Sequence, residues 1–313
     1  MTARLGVIGG YLGSGKSTLV NRLLTRATLG RTAVVVNDFG SVNIDADLIA
    51  SADGDTLELT NGCICCQATD DTARVMTALA AREDLDHVLC EVSGVGDPGQ
   101  LASWRSFPGL RPGPIVVCAD ATRVGALLRD QYVGDTVRRQ LASAEVVLVT
   151  KTDLAGPVEV DDTLAVCREV APAAEVVLQS ATHPEATAAQ VFAGTLATSG
   201  AGPSAPGEHG SGADHHADTH RSLTLTAHGP VDLVGLRGGL AQEARRLVRA
   251  KGVLQGSDGA WSEIHLAGER VEVSPRAVGR PAPTSASLVL IAAGPDAQAA
   301  LEQARTALLP LLT

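Results

Sequence analysis

Residues Gly10-Tyr-Leu-Gly13-Ser14-Gly15-Lys16-Ser17-Thr18 follow the pattern G-x-x-x-x-G-K-[ST]. Glycines at this spacing let a loop curl until its backbone N–H groups face phosphate oxygens. A helix opening directly after the loop adds a favourable potential for an anion. Lys16 supplies a compact positive charge for the β and γ phosphates, and the Ser17 hydroxyl is a ligand for Mg2+. Lysine is scarce: of 25 basic residues only Lys16, Lys151 and Lys251 are lysines. Two of those three fall in nucleotide-binding text.

Three further segments bear on the same chemistry. Glu91-Val-Ser93-Gly94 ends an apolar run, where an acid reaches Mg2+ directly or through water and Ser93 and Gly94 approach a γ phosphate. Thr150-Lys151-Thr152-Asp153 ends another. There the Asp153 carboxylate accepts from the N1–H and amine of guanine, a pair adenine lacks, and the Lys151 stem lies over the base. Ser180 and Ala181 offer backbone groups to the guanine oxygen. Asn37-Asp38-Phe39-Gly40, with Asp45 and Asp47 beyond it, stands where a γ-phosphate-responsive segment belongs. Asp38 and Asp45 are both candidates for orienting the attacking water or holding Mg2+.

Cys63-Ile64-Cys65-Cys66 puts three thiols in four residues. Adjacent cysteines pair only with strain, and thiolates suit Zn2+, with Co2+ a second candidate and copper(I) a third. No fourth ligand is local: Asp38, a histidine, water or a client's ligand are all open. An incomplete shell fits a metal that is passed on, and a redox thiol cluster is the other reading. Cys90, Cys118 and Cys167 sit in apolar text and read as buried and inert.

These residues need a scaffold. Val-rich strands are predicted at 4–9, 32–36, 87–91, 115–120, 145–150 and 175–180, with helical text after the glycine loop and at 72–81, 137–144, 161–170 and 184–198. That alternation predicts an α/β three-layer fold with a mainly parallel sheet. Residues 198–220 are rich in Gly, Ser, Ala and Pro and hold His209, His215, His216 and His220, four of eight histidines. They read as a linker. Beyond it, a strand at 221–227, a helix over 231–250 closed by Arg249-Ala-Lys251-Gly252, strands at 261–268, 270–274 and 285–292, and a helix over 295–312 predict a small α+β domain.

Composition narrows the functions. A net charge of -10 and only 2% aromatic residues disfavour nucleic acid and anionic membranes as partners. No apolar run reaches the ~18 residues of a membrane span, and the expectation is a cytoplasmic protein.

The pattern resembles the CobW-like family of P-loop GTPases. The likeness rests on residues 9–18, NDFG at 37–40 with Asp45, GCICC at 62–66, EVSGVGDP at 91–98, TKTD at 150–153, SA at 180–181, RAKG at 249–252 and Trp261. It implies a GTPase domain over 1–197, a His-containing linker over 198–220 and a family C-terminal domain over 221–313. It also implies GTP, Mg2+ and Zn2+ as ligands, slow hydrolysis coupled to metal handling, and metal held by Cys63, Cys65 and Cys66. Lys16, Asp45 and Glu91 would be the catalytic residues. Partners would be a client metalloprotein or cofactor-synthesis enzyme, and a second copy of the chain. One departure matters: the family's Glu before Phe-Gly is Asp38 here, one methylene shorter. Two other classes stand beside this reading. One is a metal-binding regulatory or storage protein with nucleotide as a structural ligand, and the other an ATP-dependent small-molecule kinase.

Overall fold

The computed structural model describes residues 2–26, 29–36, 56–58, 70–194, 220–276, 283 and 285–313. They form two compact units.

The first unit is built on a seven-stranded sheet in the order β3-β2-β4-β1-β5-β6-β7. Its strands are β1 Arg4–Gly9, β2 Thr32–Val36, β3 Thr56–Glu58, β4 His87–Glu91, β5 Arg111–Asp120, β6 Val146–Thr150 and β7 Glu175–Leu178. Every pairing is parallel. Helices cover both faces, so the central strands are buried on both sides and their sequences run almost wholly apolar; all five residues of β6 are buried. Helix α1, Lys16–Thr25, packs against α6, Pro184–Ala193, in one layer. Helices α3, Val124–Arg129, α4, Gly134–Ala142, and α5, Pro157–Val170, pack on one another. Helix α2, Asp70–Ala80, leads into β4. The three-layer P-loop NTPase fold is therefore as the sequence predicts.

Register decides which residues meet. Ile8 pairs with Glu91 of β4 and with Val116 of β5, and Asp120 pairs with Thr150. Gly9, Glu91, Asp120 and Thr150 thus lie at the C-terminal ends of neighbouring strands. The chain leaves β1 for β2 on one side while β5 flanks the other, and such a divergence opens a crevice where ligands bind.

Several expectations need correction. The sheet has a seventh strand, Thr56–Glu58, too short for a periodic signal. Strand β5 starts at Arg111 rather than 115, through Pro112 and Pro114. Proline is tolerated because β6 pairs only from Val116 onward and because a bulge sets Leu5–Val7 of β1 against Pro112–Ile115. Gly113 fits that bulge because a Cβ would stand 2.6 Å from the Leu5 carbonyl oxygen. Strand β7 ends at Leu178, two residues early, and α6 ends at Ala193, where Gly194 takes a left-handed turn.

The second unit holds an antiparallel five-stranded sheet, β11-β10-β9-β12-β8. Its strands are β8 His220–Thr226, β9 Arg249–Gln255, β10 Trp261–Ala267, β11 Arg270–Pro275 and β12 Ser287–Ala293. The predicted helix over 231–250 is shorter, α7 at Leu233–Glu243, and Arg249–Gly252 opens strand β9 instead of closing a helix. Ala250, Gly252 and Leu254 alternate toward the core, where a Cβ on Gly252 would lie 2.6 Å from the Ser287 carbonyl. Helix α8, Ala297–Leu308, joins α7 over Leu225, Leu254, Ile264, Leu266, Leu288 and Leu290. No helix among the described residues is long and apolar enough to cross a membrane.

The first unit has a sharp packing constraint at Gly6. A Cβ there would stand 2.6 Å from the ring of Phe192, itself 1% exposed. Gly6→Ala is expected to cost about 1–3 kcal/mol by overpacking. Calorimetry should show a lowered melting temperature, and Gly6→Ala with Phe192→Leu should fall by less than the sum of the single changes.

Candidate functional site

The site begins where β1 ends. Gly10, Gly13 and Gly15 have φ of 129°, 81° and 97°, values that side chains resist, so the chain can curl and enter α1 at Lys16. At Gly10 a Cβ would run into the Cys118 carbonyl and come within 2.7 Å of the Ser14 hydroxyl. Lys16 is 4% exposed and folds back over this loop, with Nζ donating to the Gly10 carbonyl at 2.7 Å. A phosphate oxygen is a stronger acceptor than a carbonyl for a charged donor. Thr18 is exposed on the first turn of α1.

Ser17 and Glu91 are 74 residues apart and meet because β1 and β4 are neighbours. The Ser17 hydroxyl donates to Glu91 Oε1 at 2.7 Å, and Glu91 is 2% exposed. A hydroxyl and a buried carboxylate in contact at the mouth of such a loop form an oxygen donor set suited to Mg2+. Ser14 and Ser93 are buried, and their hydroxyls have no hydrogen-bond partner among the described residues. Buried hydroxyls normally find partners, which makes these two notable beside the phosphate loop. Gly94 closes against the loop, since a Cβ there would lie 3.0 Å from Leu12 Cα.

The base side is set by β6. Thr150 stands where many GTPases carry Asn, and its hydroxyl lies 2.8 Å from the Ser14 carbonyl and 3.2 Å from that of Ala119. One short side chain therefore ties the β6 end to the phosphate loop. Lys151 is a non-glycine residue at φ 57°. Its ammonium reaches Asp120 Oδ2 at 2.7 Å, while Asp120 Oδ1 accepts from the amide and hydroxyl of Thr122. Asp120 is 4% exposed, and sequence reasoning misses it, although an acid ending the IVVCAD strand is a visible signal. Asp153 is exposed, and the Thr152 hydroxyl donates to the Gln179 carbonyl at 3.2 Å. Ser180 Oγ accepts from the His183 amide, and Ala181 is exposed beside it.

Asp38, Asp45, Asp47, Cys63, Cys65, Cys66, His209, His215 and His216 lie outside the described residues. Among the described residues no group of three His, Cys, Asp or Glu side chains is placed to hold a metal. Cys90 and Cys118 are fully buried, and desolvation pushes both thiols up to about 12; Lys16 partly offsets this at Cys118. Cys167, also desolvated, is raised to about 11. None of the three is a thiolate near neutral pH.

Thr150→Val keeps shape and removes the donor to the Ser14 carbonyl. Leaving that buried acceptor unmet costs about 1–3 kcal/mol. If that whole cost falls on the nucleotide-bound loop, calorimetric titration should show GDP affinity reduced roughly five- to 150-fold, with Thr150→Asn closer to wild type.

Comparison with known proteins agrees with this geometry. Residues 5–178 match the family described as CobW/HypB/UreG, nucleotide-binding domain, and residues 220–308 match the Cobalamin synthesis protein cobW C-terminal domain. A zinc chaperone CobW of Sinorhizobium sp. is 29% identical over 283 residues, covering 80% of this chain and 78% of that protein. A zinc chaperone CobW of Pseudomonas aeruginosa is 31% identical over 180 residues, covering 47% of this chain and 48% of its own length, so the match spans about half of that relative. The structure of the Zn(II)-bound YjiA GTPase from E. coli is matched over 100% of both chains at 18% identity and a TM-score of 0.47. With a nucleotide-binding match over more than half its length, the chain belongs to the CobW/HypB/UreG family of P-loop GTPase metallochaperones, a family linked to the handling of zinc, nickel and cobalt.

Proposed function

We propose that the protein binds and hydrolyses GTP and uses the cycle to load and release a transition metal, zinc first and cobalt second, for a client metalloprotein or cofactor-synthesis enzyme. The observation that carries the reading is the phosphate-binding head. Three left-handed glycines, buried Lys16, and the Ser17–Glu91 contact at 2.7 Å lie together at the mouth of a parallel sheet. The two relatives bearing the name zinc chaperone support the choice of metal.

In this reading the loop amides from Gly13 to Thr18 and the Lys16 ammonium neutralise the β and γ phosphates. Ser17 and Glu91 would hold Mg2+, which supplies positive charge to the same oxygens when bound. The Ser14 and Ser93 hydroxyls donate to phosphate oxygens, and Gly94 senses the γ group. Thr150 fixes the loop, the Lys151 stem covers the base, Asp153 accepts from guanine, and Ser180 and Ala181 border its oxygen. Asp45 orients the attacking water. Cys63, Cys65 and Cys66, with Asp38 as a candidate fourth ligand, form the cargo site, and its grip changes when the γ phosphate leaves. Preorganised charge around a transferring phosphoryl group is the main catalytic lever available to such a site.

The test is zinc affinity, measured by competition with a chromogenic chelator, in the presence of a non-hydrolysable GTP analogue or GDP. The two values are expected to differ by about tenfold or more, a coupling of at least ~1.4 kcal/mol. Cys65→Ala with Cys66→Ala should abolish zinc binding and leave GDP affinity unchanged. Equal zinc affinities in the two states would remove the coupling, and tighter binding of ADP than of GDP would favour the kinase.

A further inference from the structure

The turn after Glu91 is held from an unexpected direction. Gln140, on α4, is 1% exposed, and its Nε2 donates to the Gly94 carbonyl at 3.2 Å and to the Gly96 carbonyl at 2.7 Å. Both acceptors are carbonyls, so the amide nitrogen and not its oxygen must face them. One neutral NH2 thus bridges the two glycines either side of Val95. The same turn is closed by the Gly96 amide donating to the Ser93 carbonyl at 2.9 Å. Glycines give a turn many alternative conformations, and two fixed carbonyls remove most of them.

The other side of the turn meets the phosphate loop, since a Cβ on Gly94 would stand 3.0 Å from Leu12 Cα and 2.5 Å from its Cδ2. Ser93, with its buried hydroxyl, lies in this clamped segment. Gln140 Oε1 is buried without a hydrogen-bond partner among the described residues, on a cavity also lined by Ser14, Tyr11 and Arg123. The amide therefore makes no stronger bond elsewhere that would explain its place: both its hydrogen bonds are spent on the turn. Downstream, Asp97 caps the helical turn Pro98–Ser106 through the Gly99 amide, and that turn carries Trp104 stacked on Phe107.

We infer that Gln140 is a positioning residue for GTP hydrolysis: its side-chain amide holds the Ser93–Gly96 turn against the phosphate loop so that Ser93 and Gly94 meet the γ phosphate, and it transmits the turn's position to the segment bearing Trp104. The inference rests on the GTPase reading above. It assigns Gln140 no contact with nucleotide.

Gln140→Met keeps length and removes the donor; Gln140→Glu keeps shape and sets an acceptor against two carbonyls. In both, kcat for GTP is expected to fall about tenfold or more while KM for GTP and Kd for GDP stay within about threefold, the signature of an interaction needed in the transition state. In a Trp261→Phe background, the Trp104 fluorescence difference between GTP-analogue and GDP states should be present with Gln140 and lost with Met. Unchanged kcat, a persisting fluorescence difference, wild-type kcat in the Glu variant, or parallel losses in kcat, GDP affinity and melting temperature in both variants would each overturn the inference. Wild-type protein that binds GDP but never turns over GTP would overturn the GTPase reading first and this inference with it.

Discussion

The reversal of the chain between Gly9 and Lys16 is the constraint on which the rest depends. Three residues in it hold a backbone conformation that side chains resist, and the loop carbonyl of Gly10 accepts from the one lysine folded over it. This arrangement concentrates donors at one point and leaves them few alternatives. Its neighbours are organised around it: Thr150 holds the Ser14 carbonyl, Gly94 abuts Leu12, and Ser17 touches Glu91. A loop fixed on three sides loses little further freedom when an anion binds, which is how preorganisation raises affinity.

The sheet makes those contacts possible. Parallel register brings together Glu91, Asp120 and Thr150 from three strands. Lysine is used sparingly in both units. Lys16, Lys151 and Lys251 are the only lysines, Lys16 and Lys251 are both buried, and Lys151 is paired with buried Asp120. Breaking one partner of such a pair is costly because the other charge stays desolvated, although partial exposure of Lys151 moderates the effect.

How legible the molecule was follows from distance along the chain. The phosphate loop reads directly because its glycines, lysine and serine are contiguous. Glu91 reads as a strand-end acid, but its contact with Ser17 exists only through strand order. The Asp120–Lys151 pair spans 31 residues and depends on β5 lying beside β6, so no local pattern announces it. Residues 249–252 read as the close of a helix because Ala and Arg favour helices locally and glycine often ends them, while the alternation of Ala250, Gly252 and Leu254 toward the core wins in context. Gln140 lies in helical text and looks like any polar position until its partners, more than 40 residues earlier, are seen. The three thiols read directly because they are contiguous, and they and Asp45 lie outside the described residues.

The most direct measurement is a calorimetric titration of GDP into wild-type protein and into Gly10→Ala, with circular dichroism confirming that both are folded. The φ of 129° and the crowding by the Cys118 carbonyl and the Ser14 hydroxyl leave no room for the added methyl. Wild type should bind with a one-to-one stoichiometry, and the variant should lose about a hundredfold or more, or ~2.7 kcal/mol. Undiminished affinity in folded Gly10→Ala would contradict the account, because the nucleotide would then be held somewhere other than this loop.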